Sequence, residues 1–99
     1  MKSALITIGA TREYLDPVRY ISNESSGLQG MAIIEHLIKN KIKTVCLCGH
    51  ISTEKIVSPY IKYINVTNAK DMLKAAKKYS NVDIAIFNAA VSDYRVKKI

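Results

Sequence analysis

Four short β-prone runs alternate with two helix-period stretches along this chain, and that order leaves few folds open. Ser3 to Ile8 (S-A-L-I-T-I) ends at Gly9, and Thr44 to Leu47 (T-V-C-L) ends in Cys48-Gly49, so each run closes on a glycine that lets the chain turn sharply. Between them, Leu28 to Asn40 places Met31, Ile34, Leu37 and Ile38 on one stripe, with Glu35, Lys39 and Asn40 off it, as a crossover helix requires. Tyr60 to Val66 alternates as a half-buried strand near a sheet edge. Asn68 is placed to cap a helix from Ala69 to Tyr79 that buries Met72, Leu73 and Ala76. Val82 to Phe87 is the last strand and runs into Asn88-Ala89-Ala90.

Strand, helix, strand, strand, helix, strand predicts an α/β fold: a Rossmann-like parallel sheet with right-handed crossovers in three αβα layers. Parallel sheets are covered on both faces, and two helices cannot cover both faces of four strands. The expectation is therefore a fold incomplete at its C-terminus, or one completed by a partner.

Ninety-nine residues, 48 % of them hydrophobic, predict one domain spanning 1–99 with a small core. The formal charge is +7, but the lysines are scattered as K-N-K-I-K, A-K-K-Y and V-K-K-I among acids and apolar residues. Such spacing argues against a nucleic-acid partner and leaves a positive field suited to anionic small ligands. Cys46 and Cys48 have no second pair or His cluster to complete a metal site, so they read as buried strand thiols in a reducing compartment. No stretch approaches the length of a membrane span or carries a signal pattern, which predicts a cytoplasmic protein.

Ligands of open α/β sheets bind beyond the carboxyl ends of the strands. Three polar segments are expected to converge there: Gly9 to Gly30, Gly49 to Pro59 and Asn88 to Arg95. The first is too long to be an idle connection. Ser25, Ser26, Gly27 and Gly30 open the first helix, where backbone amides and the helix dipole attract phosphate; a serine N-cap and a packing glycine would read the same way. The spacing is not G-x-G-x-x-G, and no acid closes the second strand, so a standard dinucleotide site is disfavoured. Asn23 offers an amide that both donates and accepts, or simply forms a turn. Asp16-Pro17 initiates a turn, with Arg12 and Arg19 either anion clamps or partners of Glu13 and Asp16. Asp93 follows the fourth strand and could hold Mg²⁺ or a ribose hydroxyl, or form a cap or turn. His36 and His50 show no catalytic partner by position.

The segment T-R-E-Y-L-D-P-V-R-Y-I-S-N-E-S-S-G-L-Q-G, together with A-A-V-S-D-Y-R, closely resembles the phosphopantothenate-cysteine ligase family, the ligase half of the bifunctional coenzyme A biosynthesis flavoprotein. The resemblance spans essentially the whole chain in the same order. It implies a ligase that activates 4'-phosphopantothenate with CTP as an acyl-cytidylate and joins it to cysteine, giving 4'-phosphopantothenoylcysteine for coenzyme A biosynthesis. By the same resemblance Asn23 holds the acyl-cytidylate, Ser25 and Gly27 lie by the phosphates, and Phe87, Asn88 and Ala89 read the cytosine through strand-end backbone. Asp93 matches the aspartate at the CTP and Mg²⁺ site, making Mg²⁺ the implied metal, and the family implies a homodimer and a separate decarboxylase as partners.

Two departures are visible. Gly9-Ala10 stands where the family commonly has Gly-Pro or Gly-Gly, and the family continues beyond D-Y-R into a CTP-contacting lysine segment and a dimerisation region. Lys97 and Lys98 come too early to be that lysine. Met1 directly before the ligase start implies a stand-alone, split or truncated ligase, and the 99 residues alone are expected to release no pyrophosphate from CTP. The alternative is a non-catalytic or split nucleotide-binding module that needs a partner chain.

Overall fold

The computed structural model describes residues 2–22 and 26–90. In chain order its elements are β1 (Ser3–Ile8), β2 (Arg12–Tyr14), β3 (Tyr20–Ser22), α1 (Leu28–Lys39), β4 (Lys43–Cys48), β5 (Ile61–Asn65), α2 (Ala69–Lys78) and β6 (Ile84–Phe87). Four strands form one parallel sheet in the order β5-β4-β1-β6, and β2 and β3 pair as a separate antiparallel hairpin. The expected α/β, Rossmann-like architecture is present, with β5 at the sheet edge as its half-buried alternation implied.

Register decides which side chains meet. Ile6 lies opposite Cys46 on one side and Ile86 on the other, and Cys46 lies opposite Tyr63. Side chains alternate across a strand, so Ile6, Ile8, Cys46 and Cys48 share a face. Met31 and Ile34 of α1 pack on that face to form the main core, with Tyr63 and Ile86 at its border. Both cysteines are buried and free, as their place in an apolar strand suggested.

The crossover from β1 through α1 to β4 and the one from β5 through α2 to β6 run in opposite directions across the sheet. Right-handedness then places the two helices on opposite faces. Leu5, Leu47 and Met72 are buried on the α2 side. That face is covered only in part: Leu73 is 58 % exposed and Phe87 73 % exposed. The expectation that Leu73 is buried is therefore wrong. Leu73 follows Met72 by one residue, about 100° around the helix, and Met72 takes the inward position. Ala76 is only half-buried.

Helix boundaries have local causes. Asn68 Oδ1 accepts from the Asp71 amide at 2.8 Å, the predicted cap, and Lys77 and Lys78 stand in the last turn where a cation favours the dipole. α1 ends on a Schellman turn: the Ile42 amide donates to Leu37 O (3.0 Å) and the Lys41 amide to Ile38 O (2.9 Å). Lys41 carries the left-handed φ of 56° that this turn demands.

The hairpin was not anticipated; the chain from Gly9 to Gly30 reads as one loop. Its turn was. Asp16 Oδ1 accepts from the Val18 and Arg19 amides (3.0 and 2.9 Å), and Arg19 Nε donates to Asp16 Oδ2 at 2.6 Å. The Val18 amide, then the Arg19 side chain, holds the Asp16 carboxyl below its ordinary range. Tyr14 and Tyr20 face each other across the pair, ring centroids 5.4 Å apart. Among the described residues no helix is long and apolar enough to cross a membrane.

Candidate functional site

The segments expected to converge do so through their backbones. Beyond β1, Ala10 bridges to His50 on one side and to Ala90 on the other. The Ala10 amide donates to His50 O (2.9 Å) and the His50 amide to Ala10 O (2.8 Å). On the other side the Ala90 amide donates to Gly9 O (2.7 Å) and the Thr11 amide to Ala90 O (3.1 Å). The hairpin is anchored in turn by the Arg12 amide, which donates to Thr67 O at 2.6 Å.

At this end of the sheet α1 begins. Its N-cap is Gly27, at φ 86°, and no acidic residue stands in the first turn. A serine cap is thus not what starts the helix, although Ser26 Oγ accepts from the Leu28 amide at 3.2 Å. A Cβ on Gly27 would lie 2.6 Å from Ile51 Cγ2, so both conformation and space require glycine there. The Ser52 and Thr53 amides donate to Ser26 O (3.1 and 3.3 Å), which seats the loop after β4 against the helix start. First-turn amides of a helix lack intrahelical acceptors, and here no side chain of the cap residue fills that role.

The end of β6 abuts the same turn. Gly30 packs on Ile8, and Asn88 Nδ2 donates to Gln29 Oε1 at 3.3 Å. Thr7, buried in β1, holds the strand end: its Oγ1 accepts from the Asn88 and Ala89 amides (3.1 and 3.2 Å). Phe87, Asn88 and Ala89 are thereby fixed beside the opening of α1, with those two amides engaged and the Phe87 ring exposed. Nothing in the sequence singled out Thr7 or Gln29. Asn23 and Ser25, between β3 and α1, and Asp93, after β6, lie outside the described residues. Among the described residues no three His, Cys, Asp or Glu gather as a metal site.

The choice left open for the two arginines is decided by geometry. Arg19 pairs with Asp16; Arg12 pairs with neither acid, and its guanidinium carbon sits 4.1 Å from the Tyr20 ring centroid. His50 is exposed at the carboxyl edge, and His36 is exposed on α1.

A parallel sheet whose carboxyl edge meets a glycine-opened helix start defines an α/β domain of the Rossmann-like class, and that edge is where open α/β sheets in general take their ligands. The chain belongs to the DNA/pantothenate metabolism flavoprotein C-terminal domain family, which matches residues 1–99. It is 38 % identical over 96 residues to the coenzyme A biosynthesis bifunctional protein CoaBC of Thermococcus kodakarensis, covering 97 % of this chain and 24 % of that protein. The chain thus spans about a quarter of that relative's length. The crystal structure of the C-terminal domain of a CoaBC superposes with a TM-score of 0.86 at 39 % identity, over 99 % of this chain and 50 % of that one. The DNA/pantothenate metabolism flavoprotein of Streptococcus pneumoniae superposes with a TM-score of 0.90 at 29 % identity, over 96 % and 42 % of the two chains.

Proposed function

We propose that this domain is part of a phosphopantothenate-cysteine ligase in coenzyme A biosynthesis. It would activate 4'-phosphopantothenate with CTP and join it to cysteine. The observation that carries this reading is the seating of the β6 end against the opening of α1, through Asn88 and Gln29, in a chain of this family. A nucleotide laid across that junction would put its phosphates at the dipole end of α1, by Ser25 and Gly27. Its base would meet the carbonyl edge of Phe87, Asn88 and Ala89, whose Asn88 and Ala89 amides are held by Thr7.

The chemistry suits such a site. The acid's carboxylate oxygen attacks the α-phosphorus of CTP, the bond to the β-phosphate oxygen breaks, and pyrophosphate leaves. The cysteine amine then attacks the acyl carbon, loses a proton and displaces CMP. Neither step needs a protein nucleophile; both need a fixed carboxylate and donors aimed at developing charge. Asn23 is assigned the grip on the activated acyl group. Asp93 is assigned to hold a Mg²⁺ that would screen the phosphate charge. A cytoplasmic homodimer working beside a decarboxylase belongs to the same reading.

The test uses a chain extended to the length of the solved relatives, supplied with CTP, Mg²⁺ and 4'-phosphopantothenate but no cysteine. Acyl-cytidylate should accumulate, and Asn23→Asp should change its yield. Accumulation with ATP alone, or CTP binding with no pyrophosphate released, would overturn the assignment in favour of another nucleotide or a non-catalytic module.

A further inference from the structure

Lysines that stand far apart in the sequence are gathered by the fold at the amino end of the sheet, the edge opposite the start of α1. Ser3 lies opposite Lys43, and one step further along the face Leu5 lies opposite Val45, which lies opposite Lys62. Side chains alternate across a strand, so Lys43, Val45 and Lys62 share the face that α2 covers, not the face of Ile6 and Cys46. α2 ends above them, at Lys78 and Tyr79.

Between helix end and strand starts lies a cavity of ≈ 430 Å³, inside the range of about 300–1,000 Å³ common to small-molecule sites. Val45, Tyr60, Tyr79 and Val82 give it an apolar wall, Lys43, Lys62 and Lys78 bring three cations to it, and no carboxylate lines it. Among the described residues none of these lysines is paired with an acid. Asp83, close by, is engaged by the Ser3 amide at 2.9 Å. The Lys62 and Lys78 ammoniums lie 5.8 and 5.5 Å from the centre of the Tyr79 ring, which keeps both charges beside the wall.

The carbonyl end of a helix repels anions, but this end is blunted. Ala75 O accepts from the Tyr79 amide (3.1 Å), Lys77 O accepts from Ser80 Oγ (2.9 Å), and the last-turn lysines offset the dipole. Three cations answer a dianionic phosphate more fully than a single carboxylate, and lysine binds phosphate as a point charge. The two tyrosines of the wall favour an aromatic body.

We infer that this cavity is a binding site for an organic phosphate with an aromatic body. It is separated from the carboxyl edge by the length of six-residue strands, about 20 Å, and stands independently of the ligase reading.

The test follows amide resonances of the ¹⁵N-labelled 99-residue chain during separate titrations with 2-naphthyl phosphate, 2-naphthol and inorganic phosphate. The aryl phosphate should shift Val45, Lys62, Tyr79 and Val82 saturably, and the other two should bind there at least tenfold more weakly. The Lys62→Gln/Lys78→Gln variant should weaken the aryl phosphate at least tenfold. The site is overturned if those four amides stay unmoved, if shifts centre instead on the exposed Leu73 and Phe87 or on Leu28 to Gly30, or if 2-naphthol or inorganic phosphate binds there as tightly as the aryl phosphate. Parent-like affinity in the lysine variant overturns it too. Should that variant lose its dispersed spectrum, Lys43→Gln decides: affinity equal to the parent's refutes the role of the gathered charge.

Discussion

Substituting Gly30 by alanine sets two well-known effects against each other, and the packing of α1 on β1 decides between them. In an exposed helix the change favours alanine by about 1 kcal/mol. Here the new Cβ would sit 2.3 Å from Ile8 Cγ2 and 2.8 Å from Ile8 Cβ, both well inside ordinary contact. Ile8 is fully buried in the main core and meets the intruding methyl at the root of its branch, so it has no rotamer into which to retreat. Overpacking of this kind costs about 1–3 kcal/mol, and a clash at a β-branched root belongs at the top of that range. After the helix-propensity gain the net loss is about 2 kcal/mol, a fall in Tm of roughly 8–16 °C for a domain this size. Urea and thermal unfolding of the parent, Gly30→Ala, Ile8→Ala and the double variant measure it. Ile8→Ala alone should cost about 2–5 kcal/mol, and the double variant should cost less than the two singles together by about 2 kcal/mol, because the added methyl enters the void. If Gly30→Ala melts at or above the parent, or if the costs simply add, the close approach of α1 to β1 is not what requires glycine.

Three further outcomes are expected. Lys41→Gly, at the left-handed position ending α1, should raise stability by about 0.5–1 kcal/mol in urea melts, since the native φ of 56° strains a side chain but not glycine; a lower midpoint would contradict the turn. Gly27→Ala should weaken CTP binding by at least tenfold, since its Cβ would meet Ile51 at a left-handed φ; an affinity equal to the parent's by calorimetry would remove the helix start from the site. Interaction with the Cys46 thiol brings Cys48 down to about 7 from an ordinary 9.0, with Lys55 assisting against the opposing effect of burial, while Cys46 is pushed up. A depressed folded-state value adds stability above the unfolded value and loses it as pH falls through the folded one, so the contribution of Cys48 should grow between about pH 7 and 9. Thiolate absorbance should rise near pH 7 in the parent and shift upward in Cys46→Ala; an unchanged midpoint would show that Cys46 is not the cause.

Much of this fold is legible in the residues because its signals are local. Ala4 to Ile8 within the first run, and Thr44 to Leu47, are β-branched or apolar and run on to a glycine, the α1 stripe repeats over three turns, and Asn68 stands where a cap must stand. The hairpin escaped notice because strands of three residues are too short for alternation to show, and because what holds them in place is remote: Arg12 to Thr67 and Thr11 to Ala90. Leu73 misled because an apolar residue beside a true core position looks the same in sequence, and only the extent of the sheet beneath α2 tells them apart. For the site, the glycine-opened helix could be read from Ser-Ser-Gly, but not the partners of the two arginines. Arg12 and Arg19 flank the same turn, and only the folded hairpin assigns Asp16 to one and leaves the other over a tyrosine ring.

The knot of amide-to-carbonyl bonds around Ala10 has a consequence for how this edge tolerates change. Three loops from distant parts of the chain are joined main chain to main chain there, so no pair of side chains must vary in concert to keep them together. A saturation scan should therefore find position 50 permissive for the joint itself, whatever His50 does for a ligand. Intolerance should concentrate instead at Gly49, where a Cβ would lie 2.6 Å from Ala10 O. Smallness, rather than chemical identity, is the information that this junction stores.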